Sequence, residues 1–143
     1  MKRFATRTGV FQLAGEAQGQ ALVFSQALSF WGGIDAGTGD IIDHSHPGLG
    51  LNVAGKVLVM PSGRGSSSSS SVLAEAIRCG TAPAGIIIER LDPILAVGAI
   101  VAEFLYAIRI PLVVCDIAGI VSGDPISIRS NGAGQAVVTL PAA

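Results

Sequence analysis

Lys56-Val57-Leu58-Val59-Met60-Pro61 is followed by Ser62-Gly63-Arg64-Gly65, then by six serines from Ser66 to Ser71, then by Val72-Leu73-Ala74-Glu75-Ala76-Ile77-Arg78-Cys79. The first segment is a short, continuous apolar run bounded by turn residues, and it reads as a buried strand. The last reads as a helix over residues 67–79, ended by Gly80. Between them, Gly63-Arg64-Gly65-Ser66-Ser67 puts small residues at a strand-to-helix turn. Glycines there permit positive φ and close backbone approach. The helix start offers unpaired N–H groups and the positive end of the helix dipole. Arg64 adds a guanidinium fork suited to a carboxylate or phosphate. The turn is therefore a candidate anion site, although it lacks the Gly-Lys-Ser/Thr of a P-loop. A helix N-cap accounts for one of the serines, not for six.

The alternation continues downstream. Residues 85–89 read as a second buried strand, and residues 93–108 as a second helix with Pro93 at a position suited to its first turn. Residues 112–115 read as a third strand, which completes a βαβαβ unit with a parallel sheet. Upstream, the first third reads as all-β. Residues 10–13 and 20–24 flank a turn at 15–19, residues 28–31 form a short extended run, and residues 32–40 form a Gly- and Asp-rich loop. Ile41-Ile42 extends briefly before the turn Asp43-His44-Ser45-His46-Pro47-Gly48. The tail returns to β, with residues 125–129 and 135–140 around a hairpin turn at 130–134. The expected fold class is α/β, in the order β, β/α, β, with residues 1–143 packed as one domain.

Charged residues make up 13% of the 143-residue chain, about half the usual share. A small domain this poor in charge is expected to hide part of its surface against a partner. A net charge of −1 gives no electrostatic case for nucleic acid or an anionic membrane. Residues 94–115 are the most apolar stretch, but Glu103, Arg109 and Pro111 interrupt it, so it reads as a helix and a strand rather than a membrane span. Cys79 and Cys115 match neither a metal-ligand spacing nor a disulfide framework. They are expected to be two buried free thiols in a reducing compartment. With no apolar secretory segment at residues 1–9, the expected location is cytoplasmic.

Three further groups could carry chemistry. His44 and His46, beside Asp43, could contribute to a metal site, but no further ligands cluster with them. A solvated turn with at most one histidine reaching a site is the expectation. Asp35, with Thr38 and Gly39, fits either an Asx-type turn or a substrate-facing loop that includes Gly33. Arg90 and Asp92 follow the second parallel strand and are expected near the same sheet edge as Arg64, the edge where ligands bind in open α/β sheets.

The ordered set Phe30-Trp31-Gly32-Gly33-Ile34-Asp35, Gly39-Asp40-Ile41-Ile42-Asp43, His46-Pro47, Gly55-Lys56-Val57-Leu58-Val59 and Gly63-Arg64-Gly65-Ser66 resembles the small-subunit signature of aconitase X. That family is a branch of the aconitase superfamily, whose small domain is a swivelling β/β/α domain. The likeness covers residues 8–140. It implies a hydro-lyase in which Ser66 is the base that removes the proton α to a carboxylate. Gly63, Arg64, Gly65 and Ser67 would surround the substrate, with Gly33, Asp35 and His46 as further contacts. Aconitase proper has an arginine after its serines, whereas here Arg64 precedes them and is the natural substitute.

The resemblance also implies iron or an iron–sulfur cluster on a large catalytic subunit, with no metal or cofactor on this chain. The activities it implies are dehydration of cis-3-hydroxy-L-proline, favoured here, or of mevalonate 5-phosphate. The latter would need a second basic cluster for the phosphate. The rival from another class is a non-catalytic swivelling binding module, such as a phosphohistidine carrier using His44 or His46.

Overall fold

The computed structural model describes residues 3–142. Seven strands and two helices follow in the order β1 (Phe4–Leu13), β2 (Ala17–Val23), β3 (Val57–Met60), α1 (Ser69–Cys79), β4 (Gly85–Ile88), α2 (Pro93–Tyr106), β5 (Leu112–Val114), β6 (Pro125–Ser130) and β7 (Gln135–Pro141). Strands β2, β3, β4 and β5 lie side by side in parallel. The strands expected at both ends of the chain do more than flank this unit. Antiparallel β1 joins β5 to β7, and antiparallel β6 joins β2 to β7, so the sheet closes into a barrel.

The short parallel strands are buried on both faces, which is why their sequences are continuous apolar runs with no polar alternation. Successive side chains nevertheless point to opposite faces. Val57, Val59, Ile87 and Val113 join Ile126, Ile128, Ala136, Val138 and Leu140 in the barrel interior. Leu58, Met60, Ile86, Ile88 and Leu112 point outward, under Leu73 and Ile77 of α1 and Leu95, Ala99 and Ala102 of α2. Gly98 lets the two helices meet closely, since a Cβ there would stand 2.6 Å from the Ser70 carbonyl oxygen.

Both helices begin and end for local reasons. Gly80 closes α1 in the left-handed conformation, its N–H and the one after it returning to the last-turn carbonyls. Asp92 caps α2, its carboxylate accepting the Ile94 and Leu95 N–H groups at 2.9 and 3.0 Å, with Pro93 next in line. The helices are shorter than expected by about a turn or less: α1 starts at Ser69 and α2 stops at Tyr106.

Two expectations are corrected. The first third is not all-β. After β2 the chain runs to residue 56 through turns held by single bridges, Leu28 with Gly63, Ile34 with Ile41 and Asp40 with Asn52. Its glycines favour turns, yet Phe24, Leu28, Phe30, Ile34, Ile41 and Val53 are buried and pin the segment onto the outer face of the sheet. The cysteines are both free, but only Cys115 is buried; Cys79 lies on the exposed face of α1. No helix among the described residues is long and apolar enough to cross a membrane.

Asp92 also joins distant parts of the fold. Its backbone N–H donates to Gln12 of β1 at 3.0 Å, and its carbonyl accepts from the same side chain at 3.3 Å. Replacing Asp92 by Ala removes the α2 cap and is expected to cost about 1 kcal/mol. Urea unfolding of Asp92→Ala against the parent chain measures that loss.

Candidate functional site

The turn after β3 lies where the carboxyl ends of the parallel strands face the starts of both helices. Leu28 pairs with Gly63 in a parallel bridge, and the Arg64 N–H donates to the Leu28 carbonyl at 3.3 Å. Gly63 abuts the Asp92 carboxylate so closely that any Cβ would collide with it. Arg90 reaches back to the Ser62 hydroxyl at 3.2 Å. Arg90 and Asp92 therefore do gather at the same edge as Arg64.

Beside this turn is a cleft of about 370 Å³ lined by Ser29, Trp31, Gly32, Asp43, Ser45, Arg64, Gly65 and Ser66. Arg64 and Ser66 are exposed on it, and Trp31 stands 57% exposed at its edge. The serines divide into distinct roles. Ser66 Oγ accepts the Ser68 N–H at 3.2 Å. The N–H groups of Ser69, Ser70 and Ser71 return to the carbonyls of Ser66, Ser67 and Ser68 at 3.0, 3.3 and 3.1 Å, a tight 3₁₀-type start to the helix. Ser68 occupies the N-cap position but makes no side-chain cap. Ser69 is buried at 3% exposure, and its hydroxyl accepts the Trp31 N–H at 3.0 Å. The N–H groups of Ser66 and Ser67 have no partner among the described residues, which leaves them to water or an anion.

Opposite Arg64, Asp43 accepts the Ser45 hydroxyl at 2.7 Å and the Ser45 N–H at 2.9 Å. These bonds, with the Arg64 charge adding to them, hold its carboxyl below the usual carboxylate range. The cleft thus carries one cation, Arg64, one anion, Asp43, held by Ser45, and a serine hydroxyl at a helix start.

The expected contacts separate on this geometry. Arg64, Gly65 and Ser66 line the cleft, Gly63 sits behind it against Asp92, and Ser67 is exposed at the start of the helix. Gly33, Asp35 and His46 do not line it. Gly33 is buried, with its Cα against the Ser29 carbonyl. The Asp35 carboxylate accepts the Gly37 N–H at 2.8 Å, which is the Asx turn. His46 is not solvated: it is 5% exposed, its Nδ1 accepts the Gly48 N–H at 2.9 Å, and its ring meets Phe24 edge-on. His44 stays exposed on the turn. Sequence reasoning passed over Ser29 and Ser45. Both lie next to motif residues that were singled out, but nothing local distinguishes them from ordinary loop serines.

The residues present do not fit an iron or iron–sulfur centre. Cys79 hydrogen-bonds Glu75 on α1, whereas Cys115 joins the barrel interior, where burial pushes its thiol up to about 11. Neither lines the cleft. Among the described residues no three His, Cys, Asp or Glu side chains are grouped to hold a metal ion.

A barrel with two helices on one flank and a serine turn at the strand ends is the architecture of a swivelling β/β/α domain. Residues 7–138 match the aconitase X swivel domain, and the chain belongs to that family. It is 47% identical over 100 residues to cis-3-hydroxy-L-proline dehydratase of Pseudomonas aeruginosa, a match covering 70% of this chain and 17% of that protein. It is 48% identical over 86 residues to the phosphomevalonate dehydratase small subunit of Methanopyrus kandleri, covering 60% and 64%. Its fold superposes on the crystal structure of Thermococcus kodakaraensis aconitase X in the holo form with a TM-score of 0.82 at 30% identity, covering 94% and 98%. The chain spans about a sixth of the length of the cis-3-hydroxy-L-proline dehydratases it matches, 17% and 18%.

Because Gly33 packs directly on backbone, Gly33→Ala must displace the loop that carries Ser29 and Trp31. The expected cost is about 1–3 kcal/mol, read as a lower thermal midpoint by circular dichroism.

Proposed function

We propose that this chain is the small swivel subunit of an aconitase X-type hydro-lyase that dehydrates a hydroxy-carboxylate, with Ser66 as the base. The observation that carries the reading is Ser66 itself. Its hydroxyl lines the cleft beside Arg64 and already accepts the Ser68 N–H at the start of α1. A serine hydroxyl is a weak base unless its alkoxide is stabilised. That N–H, the positive end of the α1 dipole and the guanidinium of Arg64 all favour negative charge on Oγ. Arg64, Gly65 and the free N–H groups of Ser66 and Ser67 then form an anion cradle that orients the substrate carboxylate.

The favoured substrate is cis-3-hydroxy-L-proline. Ser66, as its alkoxide, takes the proton from C2, the C2–H electrons form the C2=C3 bond, and the C3 hydroxyl leaves as hydroxide, which with the proton held by Ser66 is released as water. The resulting enamine tautomerises to 1-pyrroline-2-carboxylate. Relatives of nearly equal identity bear the name phosphomevalonate dehydratase small subunit, so phosphomevalonate is the second candidate. The cleft favours the first, since its lining has a single cation, Arg64, faced by Asp43. A phosphate near −2 beside the Asp43 carboxylate would need cations from elsewhere.

The iron or iron–sulfur cluster implied by the family is placed on a large catalytic subunit, because the two thiols here cannot assemble one. A large chain is also the proposed cover for α2. Val97, Ile100, Phe104 and Leu105 expose an apolar stripe on that helix, with Phe104 at 86%. In the dehydratase relatives, the matched segment is joined to a polypeptide several times longer, which supports that occupant over a second copy of this chain. The working location is the cytoplasm.

Two experiments test these readings. In the complex with its large chain, Ser66→Ala is expected to lower dehydration of cis-3-hydroxy-L-proline on the order of a thousandfold. Retained turnover overturns the base assignment, and turnover of mevalonate 5-phosphate instead overturns the substrate choice. Phe104→Asp is expected to weaken pull-down of the large chain while leaving the circular dichroism spectrum unchanged. If the variant instead dissolves a homodimer seen by sedimentation, with capture of the large chain intact, the occupant is a second copy.

A further inference from the structure

A connected set of hydroxyls lies directly behind Gly65-Ser66, and no step above uses it. The Trp31 N–H donates to Ser69 Oγ at 3.0 Å, so that oxygen is an acceptor. Ser69 Oγ and Ser29 Oγ are 3.1 Å apart. Ser29 Oγ also lies 3.0 Å from the Trp31 carbonyl oxygen and 3.0 Å from the Gly65 carbonyl oxygen. A hydroxyl has one proton to give. Both carbonyls can only accept, so the Ser29 proton is committed to them. The Ser69 proton must then serve the bond to Ser29. The direction of the chain is therefore set: Trp31 N–H to Ser69, Ser69 to Ser29, Ser29 to the carbonyls of Trp31 and Gly65. Such a series of aligned donors strengthens each of its members.

We infer that Ser29 is a positioning residue for the reaction. Its hydroxyl holds the Gly65 carbonyl, and the Gly65–Ser66 peptide carries that constraint to the orientation of Ser66 Oγ in the cleft. Ser69, 3% exposed, anchors Ser29 from beneath. This makes the loop of Ser29 and Trp31 and the serine turn one unit, although they lie far apart in sequence. The inference rests on Ser66 being the base. It adds that the base is aimed by a hydroxyl from another part of the chain. Without the bond, the Gly65 carbonyl is free to rotate, and a base displaced by about 1 Å loses roughly a hundredfold in rate.

The test uses the complex with the large chain and cis-3-hydroxy-L-proline, unlabelled and deuterated at C2. Ser29→Ala is expected to lower kcat by about tenfold to a hundredfold, with KM within about twofold and the thermal midpoint close to the parent's. The C2 deuterium isotope effect on kcat should rise, because proton removal becomes slower while the other steps do not. Ser29→Thr, which keeps the hydroxyl, should restore most of kcat. Ser69→Ala should move kcat and the isotope effect the same way by less, and it carries the test if Ser29→Ala lowers the midpoint by more than about 5 °C. An unchanged kcat and isotope effect in Ser29→Ala overturn the inference, as does failure of Ser29→Thr to recover activity. Ser66→Ala measured in parallel separates the two readings. If that variant keeps turnover, the base assignment falls and this inference with it. If it loses turnover while Ser29→Ala does not, only the inference falls.

Discussion

Asp92 is the point at which the parts of this fold meet. Its carboxylate caps α2, its backbone is clamped on both sides by the Gln12 side chain of β1, and its free face lies against the Cα of Gly63. One residue thereby fixes the start of a helix, ties it to the barrel wall and sets how close the serine turn can come. A carboxylate makes this possible because it can accept several N–H bonds at once. A glycine makes it possible because nothing else leaves room. The cleft beside Arg64 and Ser66 exists where it does because β3 ends against that contact.

The six serines look interchangeable as a string and are not so in space. Ser66 faces the cleft and accepts an N–H. Ser67 and Ser68 supply carbonyls to a tight first turn. Ser69 turns inward to the Trp31 loop, and Ser70 returns its hydroxyl to the Ser67 carbonyl at 2.9 Å. The run satisfies a helix start that has no acidic residue in its first turn and no side-chain cap. It does so while leaving the Ser66 and Ser67 N–H groups without a partner among the described residues. That division of labour underlies the proposed role of Ser66, and it explains why a run of small hydroxyl residues suits this position.

The proposed partner follows from what the domain leaves undone. The apolar stripe of α2 remains exposed although the opposite face of the same helix, Leu95, Ala99 and Ala102, is buried on the sheet. The cleft is open to one side and carries a single cation. The thiols lie in separate places, one on a helix surface and one in the barrel. The exposed stripe is the feature that supports the proposed partner.

Much was legible in the residues before any coordinates. The buried parallel strands β3, β4 and β5 and the helix limits at Gly80 and Pro93 follow from short-range chemistry, whereas the Asp92 cap was not read from the sequence. Apolar run length, proline at a helix start and glycine conformations act within a few residues, so the sequence states them directly. Closure of the barrel was not legible, because β1, β6 and β7 meet through backbone bonds that carry no side-chain signature. Nor was the inward turn of His46, since an H-x-H pair beside Pro-Gly reads as a solvated turn and only the contact with Phe24 buries it. The pairing of Ser29 with Gly65 and of Trp31 with Ser69 joins segments distant in the chain, and only the packing of Phe30 and Leu28 into the outer core brings them together. The sequence by itself determined the parallel strands and the two helices, whose signals are local; the tertiary structure decided how the barrel closes and which serine hydroxyl lines the cleft, because those depend on long-range contacts that local periodicity does not encode.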